Sequence, residues 1–136
     1  MAWRFWTDPN NGLIWTHAGD DRKGFTEALN DSVSSLSPGG EPPNVSTYWI
    51  DRALERLRLP SSDDEVVVSG GNATQIFRKG QRVRAVSLYD VFDDEWMDVD
   101  EFERGLQGWR AEVLEALQLG RTLARDQSNY QRNPWP

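Results

Sequence analysis

Apolar residues recur along this chain with two periods, one of two residues and one near 3.6, and the switches between them mark out the elements. Trp3-Arg-Phe-Trp-Thr7 and Leu13-Ile-Trp-Thr-His17 are short, aromatic and β-prone, and the turn formers of Asp8-Pro-Asn-Asn-Gly12 between them predict a hairpin. After Gly24 the spacing lengthens: Phe25, Leu29, Val33 and Leu36 lay one stripe along a helix. The stripe stops at Ser37-Pro-Gly-Gly-Glu-Pro-Pro43, where prolines remove amide donors and glycines raise the entropy cost of order, so a loop is expected. Ser46 or Thr47 is placed to cap a second helix that turns Ile50, Ala53, Leu54 and Leu57 inward, leaves Arg52, Glu55, Arg56 and Arg58 in water, and ends at Pro60.

A strand region opens at Val66-Val-Val68, bends at Gly70-Gly71 and continues through Ala73-Thr-Gln-Ile-Phe77. The turn Arg78-Lys-Gly-Gln81 then leads into Arg82-Val-Arg-Ala-Val-Ser-Leu-Tyr89, which gives a second hairpin or a three-stranded meander. The last helix has the clearest start. Asp98 and Glu101 have the spacing of a capping box, Met97 and Phe102 occupy the staple positions, and carboxylates suit the positive end of the helix dipole. Its inward stripe is Phe102, Leu106, Trp109, Val113 and Leu117. Gly105 and Gly108 each cost roughly 1 kcal/mol against Ala in an exposed helix interior, which predicts close approach by a neighbouring backbone or a partner. Gly120 either closes the helix or interrupts it, and residues 126–136 have no period.

The expected class is α+β: an antiparallel sheet of two hairpins, four to five strands in all, with about three helices packed on one face. One domain over residues 1–124 and a polar tail over 125–136 account for the 136 residues.

Charge narrows the function. Lys and Arg number 15 against 22 Asp and Glu, a net −7 that repels nucleic acid and anionic membranes and favours a basic partner. Without cysteine there is no disulfide framework, thiolate metal site or thiol nucleophile, which suits a reducing cytoplasm. The start lacks a signal-peptide core and no apolar run approaches a membrane span, so a soluble cytoplasmic protein is expected.

Catalytic chemistry is thin. His17 is the single histidine, which argues against imidazole-activated nucleophiles and against zinc. Asp98-Val-Asp100 offers two carboxylates to a hard cation, but the surrounding segment lacks the ligand spacing and glycine of a calcium loop. Neither Gly39-Gly40 nor Gly70-Gly71 has the Lys and spacing of a phosphate loop. The expectation is no catalysis, no metal and no cofactor. Arg78, Lys79, Arg82 and Arg84, with Phe77 and Tyr89, superficially fit a single-strand nucleic-acid surface. Basic residues on a turn and on alternate strand positions more commonly protect sheet edges.

The densest signal lies at residues 90–103, where Asp90, Asp93, Asp94, Glu95, Asp98, Asp100, Glu101 and Glu103 crowd together without one Lys or Arg. Of seven tryptophans, Trp3, Trp6, Trp15, Trp49 and Trp109 fall in periodic segments and belong mostly to the core. Trp96 stands among the carboxylates, either as an interface anchor ringed by negative charge or as a plug folded over the core.

From Gly71 to Leu117 the chain reads Gly-Asn-Ala-Thr-Gln-Ile-Phe-Arg-Lys-Gly-Gln-Arg-Val-Arg-Ala-Val-Ser-Leu-Tyr-Asp, then Asp-Asp-Glu-Trp-Met, then Phe-Glu-Arg-Gly-Leu-Gln-Gly-Trp-Arg. This third of the chain resembles the hairpin, acidic turn and Trp-containing helix of small acidic immunity proteins from bacterial polymorphic-toxin systems. The resemblance implies a non-enzymatic cytoplasmic protein that neutralises one cognate toxin domain, often a nuclease with a basic cleft. The expected interface comprises the eight carboxylates with Trp96 and Tyr89, or Phe92, as anchors. An effector adaptor or secretion chaperone would share that surface, and a small carboxylate-dependent hydrolase is the enzymatic alternative.

Overall fold

The structure is a computed structural model that describes residues 3–39, 44–59 and 64–119. The expected tail, the fate of Gly120, the helix stop at Pro60 and part of the proline-glycine loop lie outside the described residues.

Two antiparallel sheets and three helices build an α+β fold. Strands β1 (Arg4–Thr7) and β2 (Ile14–His17) form the expected hairpin, in register Arg4↔His17 through Thr7↔Ile14. Asp8 and Asn11 side chains accept amide hydrogens two residues on, the local bonding that makes these residue types turn formers. Helix α1 (Lys23–Ala28) runs into a wider π-helical turn, Leu29–Val33, and stops at Ser34, whose φ is +70°. The stripe Phe25, Leu29, Val33 is buried, whereas Leu36, expected to continue it, is 43% exposed because the helix has already ended.

Helix α2 (Tyr48–Leu57) buries Ile50, Ala53, Leu54 and Leu57 as its periodicity requires. Ser46 accepts the Tyr48 amide at 3.2 Å, while the Thr47 hydroxyl turns to Asp51 at 2.8 Å. Trp49 corrects the expectation that it is a core residue: it is 39% exposed, one position before the buried stripe and edge-to-face with Tyr48.

The second sheet is a four-stranded meander, β3 (Val66–Gly70), β4 (Thr74–Lys79), β5 (Arg82–Ser87) and β6 (Glu95–Asp98), in that spatial order. β6 is a strand that the sequence pattern did not predict. Its alternation is concealed by charge: Met97 faces the core, Trp96 and Asp98 face the other way, and Glu95 points inward as a carboxylate. Pairing with β5 in register Arg84↔Trp96 supplies the backbone partners that the local composition does not advertise.

Helix α3 (Val99–Leu119) follows β6 without a loop. None of the capping-box hydrogen bonds forms; the Glu101 side chain faces Arg22 instead, and the Val99 amide donates to the Gln81 carbonyl at 2.9 Å. Phe102, Leu106, Trp109 and Val113 are buried as expected, and Leu117 packs at the margin of the core. The close approach at its glycines comes from aromatic side chains of the first hairpin, neither from backbone nor from a partner. The Trp3 ring lies directly on Gly105, and a Cβ at Gly108 would stand 3.1 Å from Phe5. Trp109 ties the same two elements by donating its indole hydrogen to the Ile14 carbonyl at 2.8 Å.

The inner face of the large sheet carries Val68, Ile76, Val83, Ala85 and Met97, and all three helices pack there. Its outer face, with Phe77, Arg82, Arg84 and Trp96, has no helix over it among the described residues. No helix among them is long and apolar enough to cross a membrane.

Candidate functional site

The β5–β6 connection, residues 88–94, presents the two most exposed large apolar side chains among the described residues, Tyr89 and Val91, with Leu88 beside them. Tyr89 is 71% exposed, Val91 66% and Leu88 45%. Three exposed apolar side chains within four residues of one turn make this connection a candidate contact surface.

The turn is held from several sides. The Ser87 hydroxyl oxygen accepts the amides of Val91 at 2.9 Å and Tyr89 at 3.4 Å, and the Leu88 amide donates to the Ala73 carbonyl at 2.9 Å. Asp90 takes φ +57°, a left-handed conformation that Asp tolerates better than most residues. Phe92, an alternative anchor in sequence terms, turns inward and packs so tightly on Gly24 that a Cβ there would lie 2.6 Å from its ring. Sequence reasoning missed Leu88 and Val91. Their only signal was an apolar pair flanking Tyr89-Asp90 outside any period.

The eight carboxylates do not form one surface. Asp90 and Asp93 are exposed on the tip. Asp94 binds Arg84 at 2.9 Å, and Arg84 also holds Glu65 at 2.6 Å, so the two carboxylates share one positive charge. Glu95 is structural: its two oxygens accept the Gly24 and Phe25 amides, both at 2.9 Å. Asp98 and Asp100 are exposed at the far end of β6, about 13 Å along the chain from Asp94 at ordinary strand rise. They line a cleft of about 370 Å³ with Gln81, Glu101 and Arg104. Glu101 pairs with Arg22 at 3.9 Å, and Glu103 is half-buried on α3.

Trp96 corrects the plug reading and the expected ring of acids. It neither plugs the core nor stands in a ring of acids; it lies half-buried on the outer sheet face between two guanidinium groups, Arg82 at 4.9 Å and Arg84 at 5.7 Å from its centroid. Arg84 bridges Trp96 to Phe77, whose centroid is 5.1 Å away. A cationic strip therefore separates the two acidic groups. Arg78, the remaining strand arginine of the basic hairpin, bends inward to the Leu57 carbonyl.

His17 is 9% exposed; its Nδ1 accepts the Gly19 amide at 3.1 Å, and Arg4 lies 3.1 Å from the same atom. Burial, then the Arg4 charge, hold its pKa below the usual imidazole value against the opposing pull of Asp20. Among the described residues no group of three or more His, Cys, Asp or Glu is arranged to hold a metal ion. Asp31 serves the fold: its carboxylate accepts the Thr74 hydroxyl at 2.7 Å and the Ala73 amide at 3.0 Å.

The tip thus offers exposed apolar side chains with two carboxylates that have no ion pair among the described residues, a combination suited to docking against a surface that has apolar and cationic groups. No family model, curated protein or solved structure matches the chain.

Proposed function

We propose that the protein is a cytoplasmic immunity protein that neutralises a basic toxin domain, docking through the β5–β6 tip without catalysing a reaction. The observation that carries this reading is the exposure of Tyr89 and Val91 on a turn whose backbone is already bonded in place. An aromatic anchor on a preorganised backbone loses less conformational entropy on burial, so less of its apolar contribution to affinity is offset by ordering. Asp90 and Asp93 steer a cationic partner, chiefly raising the association rate, while Tyr89 and Val91 slow release. Toxin domains that cleave nucleic acid need basic clefts for phosphate, and the net −7 of this chain complements such a surface.

Asp98, Asp100 and Glu103 lie beyond the cationic strip and serve as a second acidic rim. Glu95 and Glu101 are not contact residues in this proposal, since their carboxylates face α1 and Arg22.

Co-expression with the toxin domain encoded by the neighbouring reading frame tests the proposal. The wild-type chain should restore growth and co-purify with the domain. Tyr89→Ala with Val91→Ala should weaken the complex at least about 30-fold, the scale of an interface anchor at ~2 kcal/mol. Rescue that survives both this change and Asp90→Lys with Asp93→Lys would remove the tip from the interface. A chain that alters only export or abundance of an active domain would be an escort instead.

A further inference from the structure

We infer that the groove between α2 and the edge strand β3 is a second binding site, one that takes an extended acidic peptide as an added strand. β3 is the outermost strand of its sheet, and Val66 and Val67 are 38% and 40% exposed. A groove of about 170 Å³ runs beside it, lined by Trp49, Arg52 and Arg56 from α2 and by Val67 and Ser69 from β3.

Edge strands are usually protected by Lys, Pro or a covering element. Val66-Val-Val-Ser-Gly70 has neither residue, and its one irregularity is a register shift between Val67 and Ser69. Beyond that shift the strand is covered by the π-helical turn Leu29–Val33, to whose Ser32 carbonyl the Ser69 hydroxyl donates. Before it, the Val67 carbonyl accepts a long contact from Arg56, at 3.4 Å. The open half of the edge therefore lies under the two arginines.

Charge selects the occupant. On a chain of net −7 this groove is lined by two guanidinium groups and no carboxylate. Of the acids on the flanking elements, Asp51 is engaged by Arg110 at 2.7 Å and Glu65 by Arg84 at 2.6 Å, while Glu55 is exposed on α2 outside the groove lining. Arg52 and Arg56 are four residues apart on one helix face, about 6 Å along the axis. Alternate side chains of an extended strand are about 6.8 Å apart. Carboxylates at positions i and i+2 of an added strand thus meet one guanidinium each, while the exposed Trp49 covers the neighbouring backbone.

The site is independent of the tip. Its test is fluorescence anisotropy with a fluorescein-labelled heptapeptide in which Glu alternates with Val, compared with a peptide of the same composition with its Glu residues clustered. Saturable binding on the order of 0.1 mM is expected, with amide shifts in the NMR spectrum confined to Val66, Val67 and the α2 face. Arg52→Glu with Arg56→Glu should abolish binding, whereas Arg104→Glu, which alters net charge away from the groove, should preserve it. No binding at ~1 mM peptide, equal binding of the clustered peptide, or binding that survives the double reversal would overturn the assignment. So would concentration-dependent self-association that Asp90→Lys with Asp93→Lys removes, since the occupant would then be the tip of a second copy.

Discussion

The Glu95 carboxylate accepts the Gly24 backbone amide across 71 residues of sequence, and its second oxygen takes Phe25. A side chain from the edge strand thereby supplies the acceptor for the start of α1, whose own preceding residue, Arg22, provides no side-chain cap. Two hydrogen bonds to an ionised acceptor compensate its partial burial, so Glu95→Ala should lower unfolding free energy by about 2–3 kcal/mol. Asp93→Ala, exposed two positions earlier, should change it by less than about 0.5 kcal/mol. Urea denaturation of the two variants checks this, and equal effects would contradict the structural role.

Acid should destabilise the protein in two separate windows. Burial of Asp31 pushes its pKa up, but hydrogen bonds from the Thr74 hydroxyl and the amides of Ala73, Asn72 and Thr74 outweigh that, and the carboxyl ends below its ordinary 3.8. The unfolded chain then takes up this proton first, so stability present above pH 3.8 is lost as pH falls through the lower folded value. His17 is also held low, chiefly by burial, so the unfolded chain protonates it first as pH falls below 6.5. Melting curves from pH 7 to 2 should show Asp31→Asn flattening the window below 3.8 and His17→Gln flattening the one below 6.5. An unchanged slope in either variant would refute the corresponding assignment.

Gly71 closes against Asp31, where an added Cβ would lie 2.6 Å from a backbone oxygen that cannot swing aside. Gly71→Ala should cost about 1–3 kcal/mol through overpacking. Gly39, with nothing within 4 Å, is the matched control and should tolerate Ala within about 0.5 kcal/mol. Thermal melts of both decide between local crowding and a general preference for glycine.

Trp109 is 1% exposed and bonds the Ile14 carbonyl at 2.8 Å. Trp109→Phe keeps most of the apolar contact but leaves that carbonyl without its indole donor, at a cost of about 1–3 kcal/mol. Hydrogen exchange should also quicken in β1 and β2 more than in β4 and β5. Uniform quickening would mean that the first hairpin is not separately fastened by this bond.

Local periodicity alone determined the three helices, the first hairpin and most of the core stripe, because a side chain's face on a helix or strand follows from its position. Ile50, Ala53, Leu54 and Leu57, or Phe102, Leu106, Trp109 and Val113, needed no knowledge of their neighbours. Composition likewise set the acidic excess. Tertiary structure decided what each acid does: whether a carboxylate is solvated, paired or bonded to amides depends on which donors the fold brings to it. Arg84 came to Asp94 through strand register, α1 brought two amides to Glu95, and no described cation came to Asp90 or Asp93. The same dependence made residues 95–98 a strand, set Trp96 between arginines and left Trp49 in water. Pairing across tens of residues leaves no period in the local sequence, so these features exist only once the sheet is assembled.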